Sequence, residues 1–145
     1  MTFRHTQTEA PYTADQMYAL VADVEKYPEF LPWCVGLRIV ERGAANITAD
    51  MIVAYKVFRE RFRSQVTLDR ENKRIDVAYV DGPFRNLENR WRFTNKPEGG
   101  SVIDFEIEFE FRNFLLQATA QAVFDKAFAR MSEAFVKRAD NVYGD

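Results

Sequence analysis

The segment from Ser101 to Phe111 constrains the fold more than any other stretch of the chain. From residue 103 onward its side chains alternate strictly: Ile103, Phe105, Ile107, Phe109 and Phe111 take one parity, and Asp104, Glu106, Glu108 and Glu110 take the other. Successive side chains of a strand point to opposite faces. The pattern therefore predicts a strand over 101–111 in an antiparallel sheet with one buried and one solvated face.

The residues before this segment extend the same sheet. Apolar residues at a period of two, separated by turns rich in Gly, Pro, Asn and Asp, predict strands near 35–42, 46–56, 60–69, 74–81 and 87–95, and a weaker alternation predicts a first strand over 2–10. Thr13 and Gln16 form a capping-box pattern that predicts a helix behind them. Pro28 and Pro32 leave room for at most one further short helical turn.

After Phe111 the apolar period becomes helical and predicts a helix of about 25 residues. The apolar stripe of this helix needs a partner, and the inward face of the sheet is the large apolar surface available. We therefore expect an α+β fold in which a curved antiparallel sheet of about seven strands wraps around a long C-terminal helix, with two short helices after the first strand. With no linker in 145 residues, one domain over 1–145 is expected.

The counts of reactive residues exclude several kinds of chemistry. One Cys, Cys34, and one His, His5, exclude an internal disulfide, a Cys cluster and a metal site with two His ligands. The formal charge of −2 gives no electrostatic reason to expect a DNA partner. No charged leader or apolar span occurs in the first ten residues. We expect a cytoplasmic protein without catalytic residues, metal or covalent cofactor.

The interior of the predicted fold admits two interpretations. Strand parity turns many large side chains inward, among them Trp91 and Phe93. A curved sheet and a single helix meet over only part of their surfaces. These side chains then either fill the space as a solid core or leave an apolar pocket of the kind that binds small molecules.

One end of the predicted sheet collects apolar loop residues. Up-and-down connectivity brings to this end Phe30, Leu31, Trp33, Val57, Phe58, Pro83, Phe84 and Leu115. An exposed apolar cluster of this kind is typical of a ligand mouth or of a contact with a membrane surface. The alternative is that the side chains fold inward and plug the end of the core.

A basic segment lies beside this end. Arg59, Arg61 and Arg63 share one strand face, and Lys56 lies close to them in sequence. Such a patch suits RNA phosphates or anionic lipid headgroups. The alternative is an ordinary solvated face balanced by Asp50 and Asp76 on neighbouring strands.

Three motifs carry a resemblance to a known family. They are Tyr27-Pro28-Glu29-Phe30-Leu31-Pro32-Trp33-Cys34, Glu60-Arg61-Phe62-Arg63-Ser64, and Gly82-Pro83-Phe84 followed by Leu87 and Trp91-Arg92-Phe93. Together with the order of elements, they resemble the coenzyme Q-binding branch of the START-like superfamily, which has the helix-grip fold of polyketide cyclases and dehydrases. The resemblance covers nearly the whole chain.

The resemblance implies a cavity between sheet and helix that holds ubiquinone or a related polyprenyl lipid, as a non-enzymatic carrier supporting respiratory electron transport. Carried onto this chain, it implies a cavity lined by Met51, Val53, Tyr55, Phe62, Ser64, Val66, Tyr79, Trp91, Phe93, Phe124, Phe128 and Met131. The hydroxyls of Tyr55, Ser64 and Tyr79 would orient the quinone head. A peripheral contact with the inner membrane of a bacterium would accompany this role.

The same branch leaves a second function open. It includes bacterial ribosome-association toxins, which bind the large ribosomal subunit and inhibit translation initiation. The motifs do not separate the two roles.

Overall fold

The fold is built on one antiparallel sheet. The computed structural model describes residues 2–55 and 58–144, without the side chains of Tyr55 and Phe58. Its strands are β1 (Thr2–Ala10), β2 (Cys34–Arg42), β3 (Asn46–Tyr55), β4 (Phe58–Asp69), β5 (Arg74–Asp81), β6 (Phe84–Asn95) and β7 (Ser101–Phe111). They lie in the order β1-β7-β6-β5-β4-β3-β2. This arrangement confirms the predicted class and the predicted meander.

Strand β7 is the second strand of the sheet, beside the edge strand β1, and shows the predicted alternation. Every odd-numbered residue from Ser101 to Phe111 is buried, and the residues between them are partly exposed. It pairs with β1 on one side and β6 on the other. Phe105 and Phe109 thereby become central core residues.

Strand β6 begins three residues earlier than predicted, at Phe84. The reason is a β-bulge between Phe84 and Asn86, which lets pairing continue as far as Phe111. Because the bulge adds one residue to β6, Phe84 falls on the same face as Leu87. Without it, Phe84 would share the outward parity of Glu88.

Two short helices follow β1, as predicted. Helix α1 (Ala14–Ala22) begins with the complete capping box: the backbone N–H of Gln16 donates to Thr13 Oγ1 at 3.1 Å, and the backbone N–H of Thr13 donates to Gln16 Oε1 at 2.9 Å. The second helix is a 3₁₀ helix over Val24–Glu29. A helical turn was expected between Pro28 and Pro32. The helix instead begins at Val24 and ends at Glu29, so most of it lies before that interval.

Helix α2 (Phe114–Tyr143) is 30 residues long, against about 25 predicted. Asn113 caps it by accepting a hydrogen bond from the backbone N–H of Leu116 at 2.9 Å. The helix packs on α1, β1 and β7. Ala120, Ser132, Phe135 and Ala139 are its buried residues, so its second half is anchored more firmly than its first. No helix in the described ranges is long and apolar enough to cross a membrane.

Candidate functional site

An apolar cavity lies between α2 and the inward face of the sheet. Its volume is about 130 Å³. The described residues that line it are Val24, Tyr27, Trp33, Leu37, Ala49, Met51, Val53, Phe62, Ser64, Val66, Val77, Leu87, Asn89, Trp91, Phe105, Ile107, Val123, Phe124, Ala127, Phe128 and Met131. The pocket interpretation of the interior is therefore the one that the structure shows.

Nine of the twelve side chains expected to bind a ligand line this cavity. They are Met51, Val53, Phe62, Ser64, Val66, Trp91, Phe124, Phe128 and Met131. Phe93 lies outside the lining and packs edge-on against Tyr18, with ring centroids 5.9 Å apart. Tyr79 also lies outside it, and its hydroxyl accepts a hydrogen bond from the backbone N–H of Phe84 at 3.1 Å. The side chain of Tyr55 falls outside the described residues.

Asn89 is a polar lining residue that the sequence analysis did not identify. It lies on β6 between Val77 of β5 and Ile107 of β7, its pairing partners on either side, and both of these also line the cavity. Its Oδ1 is buried without a hydrogen-bond partner among the described residues. Strand parity alone identifies it, because Asn89 alternates with the inward-facing Leu87 and Trp91.

The connection between α1 and β2 also lines the cavity. From the sequence, Trp33 was expected only at a ligand mouth, and Val24 and Tyr27 were not expected at the cavity. Val24 and Tyr27 reach the cavity from the 3₁₀ helix, and Trp33 reaches it from just before β2. The Tyr27 hydroxyl donates to the backbone carbonyl of Val21, and burial raises its pKa well above the ordinary value. This tyrosine is therefore a fixed neutral wall of the cavity at physiological pH.

The apolar end of the sheet differs from the expected exposed mouth. Leu31, Pro83 and Phe84 are buried. Phe84 joins an aromatic cluster with Phe111 and Phe124 at centroid distances of 4.9 and 5.0 Å, because the bulge in β6 turns it inward. At these positions the alternative holds, and the side chains plug the end of the core.

The remaining predicted mouth residues occupy several environments. Phe30 is half-buried against Phe135, with the guanidinium of Arg138 5.1 Å from its ring centroid. Trp33 lines the cavity, and Val57 and the side chain of Phe58 lie outside the described residues. Among the members of the set whose side chains the structure describes, Leu115 is the one that remains on the surface, at 72% exposed, and its neighbour Phe114 is 81% exposed.

The predicted basic patch is largely an ion-pair cluster on the outer face of the sheet. Asp50, only 6% exposed, accepts from Arg63 Nε at 2.7 Å and from Arg61 Nη1 at 3.1 Å, while Arg38 Nη2 lies 3.7 Å away. The hydrogen bond from Arg63 lowers the pKa of the Asp50 carboxyl below its usual value. Of the two carboxylates expected to balance this face, Asp50 pairs with Arg61 and Arg63.

Arg59 is the exception in this patch. It is exposed on β4, and no ion pair to it occurs among the described residues. Lys56 lies outside the described residues.

Cys34 has the environment of a structural residue. It is buried, and burial raises the pKa of its thiol to about 11. At neutral pH such a thiol is almost wholly protonated and a weak nucleophile. Among the described residues no group of three or more His, Cys, Asp and Glu side chains is placed to hold a metal ion.

Comparison with known proteins gives the same fold and a group of relatives. A family model described as polyketide cyclase/dehydrase and lipid transport matches residues 10–136. The ribosome association toxin RatA of Escherichia coli K12 is 41% identical over 92% of this chain and 84% of its own. The mitochondrial coenzyme Q-binding protein COQ10 homolog B of Xenopus laevis is 31% identical over 92% of this chain and 56% of its own. The solution structure of an 18 kDa protein from Caulobacter crescentus, 35% identical, superposes with a TM-score of 0.80 over the full length of both chains.

Proposed function

This chain belongs to the polyketide cyclase/dehydrase and lipid transport family, and from that premise we propose that its cavity binds ubiquinone or a related polyprenyl lipid without transforming it. The observation that carries the proposal is the apolar cavity itself, in which Ser64 and Asn89 offer polar groups in a wall that is otherwise almost wholly apolar and aromatic. Ligand sites of this kind use a few polar groups to orient one end of an apolar molecule. The 31% identity to a coenzyme Q-binding protein supports the same ligand class.

The size of the cavity suits the ring of such a ligand. Its volume of about 130 Å³ is close to that of an engineered protein cavity of about 150 Å³ that holds one benzene molecule. One unsubstituted ring therefore fits the cavity as it stands, and the methyl and methoxy groups of a ubiquinone head require the cavity to widen. A polyprenyl tail needs more space. The first half of α2 is less buried than the second, so it is the part of the cavity wall that moves outward to accommodate the tail.

A carrier role is favoured over catalysis by what lines the cavity. The family description covers cyclases and dehydrases as well as lipid transport. General acid–base chemistry needs a group that titrates near the working pH. The described lining residues include no Asp, Glu, His, Lys or Arg, and Tyr27 is engaged with a backbone carbonyl.

The proposal is tested by filling the cavity. Ala127 lines the cavity on α2, whereas Ala129 lies exposed on the same helix. Ala127→Trp adds an indole ring that occupies the space of a bound head group, so the purified variant should retain little or no polyprenyl quinone. Organic extraction and mass spectrometry of protein purified from its own host measure this loss.

Ala129→Trp is the matched control and should retain the lipid. Circular dichroism checks that both variants are folded. Equal lipid content in a folded Ala127→Trp protein would show that the ligand does not occupy this cavity.

A second candidate function is association with the large ribosomal subunit. It is favoured by the 41% identity to a protein named ribosome association toxin. Among the described residues of the basic patch, Arg59 is the best placed for phosphate contacts, because Arg61 and Arg63 are held by Asp50. The same exposed cation would also attract anionic lipid headgroups if the protein docks on a membrane.

Charge reversal at Arg59 separates these surfaces from the cavity. Arg59→Glu, with Arg92→Glu on the outer face of β6 as the control, is assayed for quinone binding, for co-sedimentation with ribosomal subunits and for flotation with anionic vesicles. Quinone binding should be unchanged. Loss of ribosome co-sedimentation in Arg59→Glu alone would favour the second function, and loss of vesicle flotation alone would favour membrane docking by the carrier.

A further inference from the structure

Asn89 has an unusual environment for an amide. Its neighbours along β6 on the same face are Leu87 and Trp91, and its partners across the sheet are Val77 and Ile107. All four side chains line the cavity. Among the described residues, none of them forms a hydrogen bond with Asn89 Oδ1. The cavity is therefore the space in which a ligand could supply the missing partner of Oδ1.

The unmet group is an acceptor. Asn89 Oδ1 is buried, and no described residue forms a hydrogen bond with it. A buried polar atom without a partner is costly, and native structures keep few of them. A bound molecule that brings an O–H or N–H to this atom removes the cost, whereas a molecule with acceptors alone leaves it in place.

The two redox forms of a quinone differ in this property. Each oxygen of the oxidised ring is a carbonyl and only accepts hydrogen bonds. Each oxygen of the reduced ring is a phenolic hydroxyl, which donates as well as accepts. In the structure Oδ1 is the atom buried without a partner among the described residues, and a ligand satisfies it only if it carries a donor. With the amide turned over, Nδ2 would take this position and donate to either form, so the difference between the two forms follows from the orientation that places Oδ1 there.

We propose that Asn89 makes the cavity selective for the reduced, hydroquinone form of its ligand. The inference rests on the proposed quinone-binding function and adds the redox state that is carried. A preference of about tenfold, equivalent to about 1.4 kcal/mol, is what one additional buried hydrogen bond supplies. By linkage, a tenfold preference raises the midpoint potential of the bound two-electron couple by about 30 mV.

The test compares three ligands that share one ring and one tail. They are decylubiquinone, its reduced form kept under anaerobic conditions, and the reduced form with both hydroxyls methylated, which has no donor. Isothermal titration calorimetry gives the dissociation constants, and quenching of tryptophan fluorescence gives a second readout, because both tryptophans, Trp33 and Trp91, line the cavity. The hydroquinone should bind about tenfold more tightly than the quinone, and the methylated form should bind no more tightly than the quinone.

Asn89→Leu keeps the size of the side chain and removes the acceptor. The ratio of the two dissociation constants should fall to about one. A purely structural role would weaken both ligands together and leave the ratio unchanged. Ser132→Ala is the matched control. Ser132 Oγ on α2 is also buried without a partner in the described part of the chain, but it does not line the cavity, so there the preference should persist.

The outcomes distinguish this inference from the function on which it rests. Equal binding of quinone and hydroquinone by the unaltered protein would overturn the selectivity and leave the carrier function standing. A preference that survives in Asn89→Leu would overturn the role of this residue. Failure of all three ligands to bind would overturn the carrier function and the inference together.

Discussion

Replacement of Phe84 by alanine tests whether the apolar end of the sheet is a plug or a mouth. Phe84 is 3% exposed, and its ring contacts those of Phe111, Phe124, Tyr79 and Phe62 at centroid distances between 4.9 and 5.9 Å. Truncating a fully buried phenylalanine costs about 3–5 kcal/mol. Aromatic pairs of this geometry each add about 0.5–1.5 kcal/mol beyond the buried area.

We therefore expect Phe84→Ala to lower the free energy of unfolding by about 4 kcal/mol, a large part of the total stability of a domain of this size. Phe114→Ala is the control, because Phe114 is 81% exposed and its removal should change stability by less than about 0.5 kcal/mol. Urea unfolding followed by circular dichroism measures both. A loss below about 1 kcal/mol for Phe84→Ala, or equal losses for the two variants, would refute the plug.

Two further predictions concern charge and backbone. Asp50→Asn should lower the free energy of unfolding at pH 7 by about 2 kcal/mol, because it removes a charged hydrogen-bond acceptor from Arg63. The pKa of Asp50 is lowered in the folded protein, so its contribution is complete above the unfolded value of about 3.9 and is lost as the pH falls through the folded value. Urea midpoints of the two proteins should therefore converge below about pH 4, and a gap that stays constant down to pH 2 would contradict this origin. Gly82→Ala should destabilise by about 2 kcal/mol, because Gly82 has φ +146° and an added Cβ would lie 2.6 Å from a side-chain carbon of β4. Gly99→Ala, at φ +106° with no atom within 4 Å, should cost less, and equal thermal midpoints would show that the close approach at Gly82 is unimportant.

The regular elements were predictable because each has a periodic signal of its own. Strand β7 shows a strict alternation, and Thr13 with Gln16 marks the start of α1. Period and capping are local properties, so they can be read without knowledge of the rest of the fold.

The predictions were incomplete where one residue alters the register or where no period exists. Whether Phe84 lies at an exposed mouth or folds inward stayed open, because a bulge cannot be recognised from alternation and one inserted residue reverses the face of every residue before it. Tyr27 and Trp33 lie in a proline-containing connection without periodicity, so Tyr27 was not expected at the cavity and Trp33 was expected only at its mouth. Asn89 could have been predicted, since it has the same parity as Leu87 and Trp91. It was missed because only apolar residues were assigned to the inward face.

Strand β7 is where the two ends of the chain meet. Strands β2 to β7 each pair with a sequence neighbour, but β1 pairs only with β7, and Thr2 lies opposite Phe109. Helix α2 packs on the same two strands. Contacts between residues so distant in sequence form slowly, and an unpaired strand edge invites pairing with other chains. Until β1 and α2 have both reached β7, its edge and its phenylalanine-rich face are open to other molecules, and this interval is when the chain is most exposed to aggregation.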